Sequence, residues 1–380
     1  MTARNGALRI VPVQGRRGVR DWLDVPHRVF AGDPAWIAPL RLVERRRISP
    51  AHAPLFSFGR AALFLAYRGG IPVGRISAQV NLRHLAFHND NTGHFGFFDC
   101  LDDVEAAGAL VSAAADWLRA QGMTRMEGPL SFTINEECGC LVGGFGIPPV
   151  VMMGHARPFT GGLLEAAGLA KKIDLYTYRV AATRLHPFRR LARFAGQLRD
   201  VSVRPFELGR YDDELETLLE IFNDSWSGNW GFVPLSREEI RHLGAGLRPF
   251  LRNEYGRFLL IGGQPAGVML GLPDVNGIIA SFGGRLLPFN WLKLIWALRR
   301  ETSRGARMLL VGLKRVHQSS PRAGALLALL AQEVVEQRGR YGVEWLDLGW
   351  VLETNRRVTR LAEAIAGPPS KTYRIYAAPL

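Results

Sequence analysis

One hairpin is written twice in this chain. GGIPVG occupies residues 69 to 74 and GGQPAG occupies residues 262 to 267, each directly after an apolar run, FLAYR before the first copy and FLLI before the second. Downstream, the same order of elements recurs. In the first half, VGRISAQV leaves the turn, HFGFFDCL reads as a further strand, DDVEAAGALVSAAADWLRAQG as a helix stopping at Gly122, and TRMEGPL as the next strand. In the second half the series is AGVMLGL, an insertion, ARMLLVGLKR as a strand, PRAGALLALLAQEVVEQRG as a helix ending at Gly339, and VEWLDLGWV. The helix starts echo each other as well, Ala107-Gly108-Ala109-Leu110 against Ala323-Gly324-Ala325-Leu326. Short matches of small residues arise by chance, and two unrelated α/β domains would show some of them. A shared order of several elements favours a tandem duplication.

Length agrees with two units, since 380 residues with 47% apolar content exceed the comfortable size of one core. The boundary is expected near residues 181–200, giving an N-terminal domain of residues 1–182 and a C-terminal domain of residues 183–380. A formal charge of +14 asks for an anionic partner. Nucleic acid, an acidic bilayer surface and a polyphosphate cofactor all satisfy it, so the charge alone does not choose. Cys100, Cys138 and Cys140 leave an odd number and no disulfide framework, which suits a reducing compartment. The Cys138/Cys140 pair lacks a second ligand pair at zinc spacing, so no metal is expected. No sustained apolar run suggests a signal peptide, and the nearest approach to a membrane span, LLPFNWLKLIWAL, is short and interrupted by Asn290 and Lys293. A cytoplasmic chain is expected, peripheral to the inner membrane if the membrane is its partner.

Strand, helix pair, antiparallel hairpin, strand, helix, strand, helix and closing strand is an order that resembles the GNAT acyltransferase fold, and each half supplies most of it. The likeness extends to longer motifs: DPAWIAPLR at 33–41, GHFGFF at 93–98, GPLSFTINEECGCLVGGFGIPPVVMM at 128–153, NDSWSGNWGFVP at 223–234, WVLETN at 350–355 and KTYRIY at 371–376. These are similar to a bacterial family of tandem GNAT-like proteins that includes the bacterial ceramide synthases, N-acyltransferases of sphingolipid synthesis. The fold class implied is α/β (α+β), two tandem GNAT-like domains with mixed, mostly antiparallel sheets flanked by helices. The activity implied is transfer of a fatty acyl group from acyl-CoA to a primary amine, a long-chain amino lipid such as a sphingoid base.

In a GNAT fold the strands before and after the main helix splay apart and admit the pantetheine arm of coenzyme A, while the pyrophosphate sits on the helix N-terminus. Only the second half looks equipped. GLKRVHQSSPRAGALL, residues 312–327, offers Lys314 and Arg322 for charge, Gln318, Ser319 and Ser320 as donors, and Gly324 and Ala325 for close approach; Asn355 is placed with them. The family pattern Q/R-x-x-G-x-G/A is met loosely, because Pro321 stands near the first Gly position and removes a donor. The first half places Asp102, Asp103 and Glu105 where phosphates would lie, and like charges repel.

Attack of an amine on a thioester needs a group to take the amine proton. Glu353 in WVLETN is the leading candidate and Glu136 in TINEE its rival; Tyr373, with Tyr376 behind it, is the candidate acid for the departing thiolate. The oxyanion is expected to meet a backbone N–H of the LLVGLKR strand. Asn223, Trp226, Asn229, Trp230 and Asn135 are the expected acceptor-site residues, pairing apolar walls with polar tips. The insertion GGRLLPFNWLKLIWALRRE, 283–301, mixes aromatics and cations, as RLHPFRRLARF at 184–194 also does. It fits a membrane surface, a buried core helix or the lining of an acyl-chain tunnel. Two other classes remain at this level: an aminoacyl-tRNA-dependent Fem-type transferase, although no long charged helical hairpin is present, and a non-catalytic lipid-binding protein. DNA-binding signatures are absent, and nucleic acid is not the favoured partner.

Overall fold

The computed structural model describes residues 6–181, 189–300, 302–337 and 343–380. The expected division at 182/183, residues 184–188 of the basic stretch, Glu301 of the insertion and the helix end at Gly339 lie outside the described residues.

The first half runs β1 (Leu8–Pro12), α1 (Gly15–Val29), α2 (Arg41–Arg47), α3 (Leu55–Phe58), β2 (Gly59–Arg68), β3 (Ile71–Asn81), α4 (Leu82–His88), β4 (Thr92–Cys100), α5 (Val104–Ala120) and β5 (Arg125–Gly128). A connecting region follows, with β6 (Cys140–Gly143), α6 (Thr160–Ala166), β7 (Ala170–Ala181) and α7 (Arg189–Gly196). The second half runs β8 (Val201–Pro205), α8 (Tyr211–Ser225), α9 (Arg237–Leu247), β9 (Gly256–Ile261), β10 (Gln264–Pro273), α10 (Val275–Ile279), α11 (Asn290–Arg300), β11 (Gly305–Leu313), α12 (Arg315–Gln318), α13 (Ala323–Gln337), β12 (Trp345–Leu352), α14 (Arg356–Ala366) and β13 (Lys371–Pro379).

The hairpin repeat is real at the backbone level. Gly69 and Gly70 take φ of 57° and 82°, Gly262 and Gly263 take 58° and 79°, so both turns are of the tight type that needs positive φ at both central residues. Each hairpin then leads to a strand that pairs with the next one in parallel over only its first few residues. Thr92–His94 of β4 face Arg125–Glu127 of β5, and Gly305–Met308 of β11 face Trp345–Leu348 of β12. Both hairpin-to-strand ladders also carry a bulge just beyond that point, between Arg75 and Ser77 on β3 and between Leu270 and Gly271 on β10. The AGAL echo is less exact than the sequence implied. It fills the fourth to seventh positions of α5 but opens α13.

Instead of two sheets, the halves share one, in the order β1-β2-β3-β4-β5-β13-β7-β12-β11-β10-β9-β8. The last strand of the chain, β13, lies between β5 and β7, and β7 pairs with β12 of the second half. Apart from the two parallel pairs, the ladders are antiparallel. Leu110, Ala114 and Leu118 of α5 pack on one stretch of sheet with Ile173, Ile375 and Tyr376, so the core of the first half is completed by residues from the far end of the chain. Leu215, Leu218 and Phe222 of α8 cover Val268 and Leu270 on one face of the second half, while Leu326 and Leu330 of α13 cover Leu259 and Met269 on the other.

The two partings differ. In the first half the chain itself fills the gap: after Gly128 it turns beneath β4, Leu130 N–H donates to Phe95 O at 2.7 Å, and Leu130 and Phe132 are buried there. A Cβ on Gly96 would stand 1.7 Å from the Leu130 carbonyl oxygen. Gly96→Ala is therefore expected to cost about 3 kcal/mol, the upper end for a methyl forced into a packed interior. A urea-unfolding midpoint equal to that of the parent protein would contradict a gap closed this tightly.

Candidate active site

Beyond Met308 and Leu348, β11 and β12 part, and a cavity opens on the α8/α9 side of the sheet. It encloses ≈ 1170 Å³ of atom-free space, part of it open to solvent. Leu218 and Phe222 of α8 and Ile240, Leu243 and Leu247 of α9 form its apolar walls, because the inward stripes of these two helices meet there. At the parting itself stand Arg307, Leu309 and Leu310 of β11 and Gly349 and Trp350 of β12. Leu309 is the extra residue of the β10–β11 bulge, which takes its backbone out of the regular ladder. Arg307 is buried and ties the halves together: Nη1 donates to Val151 O at 2.6 Å and Nη2 to Gly349 O at 3.2 Å.

The remaining wall comes from the first half. Ile134, Asn135 and Glu136 of the TINEE segment reach the cavity, and so does Met152. Glu136 sits in a cluster in which one guanidinium serves three carboxyl groups. Arg47, at the end of α2, donates from Nη1 to Glu44 Oε1 at 2.7 Å and to Glu137 Oε1 at 3.1 Å, and its Nε lies 3.7 Å from Glu136 Oε2. Burial opposes the Arg47 charge, but Glu137, Glu44 and Glu136 together hold it protonated well above its ordinary range. One cation cannot neutralise three anions. Burial, with Glu137 and Glu44 adding to it against the pull of Arg47, pushes the Glu136 carboxyl up to about 7. Its side chain keeps 18% exposure, the access a proton acceptor needs.

At the other end of the parting is the start of α13. Its first intrahelical bond is Leu326 N–H to Arg322 O, and among the described residues the Gly324 and Ala325 amides have no acceptor. Arg322 is half exposed beside them, 4.0 Å from Asp200. The matching helix of the first half is closed to anions: Asp103 accepts the Ala106 amide at 3.0 Å, and Arg68 is held by Asp103 and Glu105.

Of the expected site residues, the fold gathers Glu136, Asn135, Trp226, Asn229 and Trp230 around one cavity. Others go elsewhere. Glu353 accepts from Lys171 Nζ at 2.8 Å and is not among the cavity residues, because it falls one residue past β12, on the side facing β7. Tyr373 is fully buried with its hydroxyl donating to Gly154 O at 3.1 Å, and burial drives its pKa up, so it has no path to a departing thiolate. Tyr376 is likewise buried, bonded to Glu165. Asn223 brackets the backbone of Leu235, bonding both its N–H and its carbonyl. Asn355 caps α14 by accepting the Val358 amide. Gln318 spends its amide on the carbonyls of Ser225 and Leu313, Lys314 pairs with Glu220, and Ser320 Oγ accepts the Arg322 amide. Ser319 directly precedes that turn, and the side chain of Ala325 packs inward. The insertion helix α11 is neither core nor tunnel lining; it lies on the surface.

Sequence reasoning missed Arg47, Arg307 and the apolar faces of α8 and α9. An arginine in a run of three, RRR at 45–47, carries no mark of its role. The LETLLEIF stretch of α8 did carry a readable apolar stripe. A second, polar chamber adjoins the first across Ile134 and Trp230, lined by His84, His88, His94 and Glu127. Burial depresses His84 to about 4, so its ring there is neutral.

Parallel strands that part beside a helix N-terminus, written twice along one sheet, define a tandem GNAT-type acyltransferase. The chain is 39% identical over 376 residues to the bacterial ceramide synthase of Caulobacter vibrioides, covering 98% of this chain and 97% of that protein. It is 35% identical to the Escherichia coli protein YghO, covering 95% and 93%. A solved tandem GNAT protein from the clavulanic acid biosynthesis pathway superposes with a TM-score of 0.57 at 14% identity, covering 98% of both chains. No protein-family model matches. The chain belongs to the tandem GNAT-like family that includes the bacterial ceramide synthase, and it is an N-acyltransferase.

The Arg47 cluster generates a titration test. In protein labelled at glutamate carboxyl carbons, a titration near pH 7 is expected from the Glu136/Glu137 pair, and Glu136→Gln should remove the Glu136 resonance and shift that of Glu137. Arg47→Met removes the guanidinium whose charge pulls the Glu136 carboxyl down, so the midpoint should rise. A midpoint that falls, or no carboxyl titrating near neutrality, would show the cluster is wired differently.

Proposed function

We propose that this enzyme moves a fatty acyl group from acyl-CoA to the primary amine of a long-chain amino lipid such as a sphingoid base, at the cytoplasmic face of a membrane. The observation that carries this reading is the cavity: a chamber with apolar walls, a near-neutral carboxyl in its lining and an anion-ready helix start at the far side of the same parting. The name of the Caulobacter relative supports the sphingoid base as acceptor.

On this reading the diphosphate of coenzyme A meets the Gly324 and Ala325 amides and the charge of Arg322. The pantetheine arm lies between β11 and β12, which brings the thioester to Leu309. The amine attacks in its neutral form, and Glu136, as carboxylate, takes the proton that the nitrogen sheds as the C–N bond forms, directly or through a water. The nitrogen lone pair forms the C–N bond, the carbonyl oxygen becomes an oxyanion facing a backbone amide at Leu309 or Leu310, and its collapse breaks the C–S bond. Thiolate leaves and takes its proton from solvent, since thiols are acidic enough to depart without a dedicated acid. The alkyl chain occupies the α8/α9 chamber. The two halves derive from one duplicated unit, of which the second kept the cofactor gap and the first became the wall that carries the base.

Purified protein with labelled long-chain acyl-CoA is expected to release free thiol only when an amino lipid is supplied. Glu136→Gln should lower kcat by about 10²–10⁴-fold, and in the parent enzyme the rate should rise with pH through about 7 as that carboxyl loses its proton. Glu353→Gln should leave kcat near the parent value. Arg322→Glu should raise KM for acyl-CoA with less effect on kcat, and Leu243→Trp, which fills the chamber, should shift preference to shorter chains. Thiol release that ignores the amine, or Glu136→Gln at parent activity, would defeat the proposal.

A further inference from the structure

Exposed large apolar side chains concentrate in one stretch of the surface. Leu287 and Phe289 are each 70% exposed, Trp296 is 58% exposed, and Trp291, Leu292 and Ile295 are exposed beside them. The stretch is the turn before α11 and α11 itself, an insertion with no counterpart between β3 and β4 of the first half. Leu294 and Ala297 face inward, Leu294 onto the Val275, Ile279 and Phe282 cluster, which leaves a broad apolar arc pointing away from the protein. Its charge is of one sign. Residues 283–300 contain Arg285, Lys293, Arg299 and Arg300, all exposed, and no Asp or Glu. Tryptophan and phenylalanine flanked by cations, on a helix too short to span a bilayer, match the depth profile of a lipid headgroup region, with rings at the acyl boundary and cations at the phosphates.

The helix is also fixed to the catalytic chamber. Arg252 Nη2 donates to Leu298 O at 3.1 Å, and Phe250 packs in the same cluster as Leu294. The next residue, Leu251, lines the cavity together with Leu247 at the end of α9. One segment of chain therefore separates α11 from the part of the cavity wall formed by Leu247 and Leu251.

We propose that α11 and the Leu287–Phe289 turn form a membrane-docking wedge that lies in the interface of an anionic leaflet. There it holds the Leu247–Leu251 end of the chamber against the lipid from which the amine acceptor is drawn. Docking stands on the exposed surface alone; the supply of acceptor rests on the function proposed above.

The test uses the full chain with sedimenting vesicles, either pure phosphatidylcholine or phosphatidylcholine with phosphatidylglycerol. The parent protein is expected to bind the anionic vesicles and to be released by salt. Phe289→Ala/Trp296→Ala and Lys293→Glu/Arg300→Glu should each lower the partition coefficient by about tenfold or more, with unfolding midpoints unchanged. Both variants should keep parent turnover on a detergent-dispersed short-chain amine and lose it on an amino lipid embedded in vesicles. Vesicle binding equal to the parent in both variants would overturn the wedge. So would a parent protein that ignores vesicles and runs as a dimer that Phe289→Ala/Trp296→Ala dissociates, since a second copy would then cover the patch. Binding that behaves as described, with no turnover on any amine, would leave the wedge standing and remove the acyltransfer reading.

Discussion

Two parallel strands that pair over a few residues and then part are the constraint on which the rest of this structure depends. A parallel pair needs a crossover, and the crossover helix starts where the leading strand ends. A parting between such strands therefore always has a helix N-terminus beside it, and so has unpaired amides at one edge. The first half cancels this opening twice over, by threading Leu130 and Phe132 through it and by capping α5 with Asp103. The second half leaves it open, with Gly324 and Ala325 at the helix start and Leu309 bulged out of its ladder. The same architecture thus yields a plug in one copy and an open gap in the other.

The plugging segment does more than fill space. Past Phe132 it continues as Ile134, Asn135 and Glu136 and forms the wall of the other copy's chamber. For that wall to hold its place the halves have to be rigidly joined, and the shared sheet accomplishes this through β7 and β13, with Arg307 clamping Val151 to Gly349 across the joint. Electrostatics then sets the character of the site. One guanidinium bonds Glu44 and Glu137 directly and lies near Glu136, yet burial and mutual repulsion still raise the carboxyls of both Glu136 and Glu137. A carboxyl that is half ionised at physiological pH is the kind a proton transfer at that pH requires.

Local pattern was legible because hairpins, strands and helix starts are decided by near neighbours in sequence. The Gly-Gly turns, the strands around them and the α5 boundaries were all readable in this way. Site membership was legible only where a motif lies wholly in one loop. Residues of TINEE and SGNWG fall on the chamber, and so does Trp350 of WVLETN, whereas Glu353, one residue past β12, pairs with Lys171 outside the cavity lining. Tyr373 and Asn223 lie outside the cavity lining for a common reason. A polar side chain beside a motif is as readily claimed by a backbone carbonyl or amide, and that choice depends on what packs against it. The aromatic and basic insertion left core, tunnel and surface all open, and burial decided for the surface.

The amino-acid sequence by itself determined that one order of elements is written twice, that its units are of the GNAT kind, and that acids stand at one main-helix start and small residues at the other, since these are local facts. The surroundings of Glu136 were settled only in three dimensions. Glu136 acquires its raised proton affinity from burial and from Glu137 and Glu44, against the pull of Arg47 far back along the chain, and it reaches a chamber built by helices of the opposite half. Proton affinity and reach belong to the surroundings of a group, and those surroundings exist only after the sheet has closed on both halves.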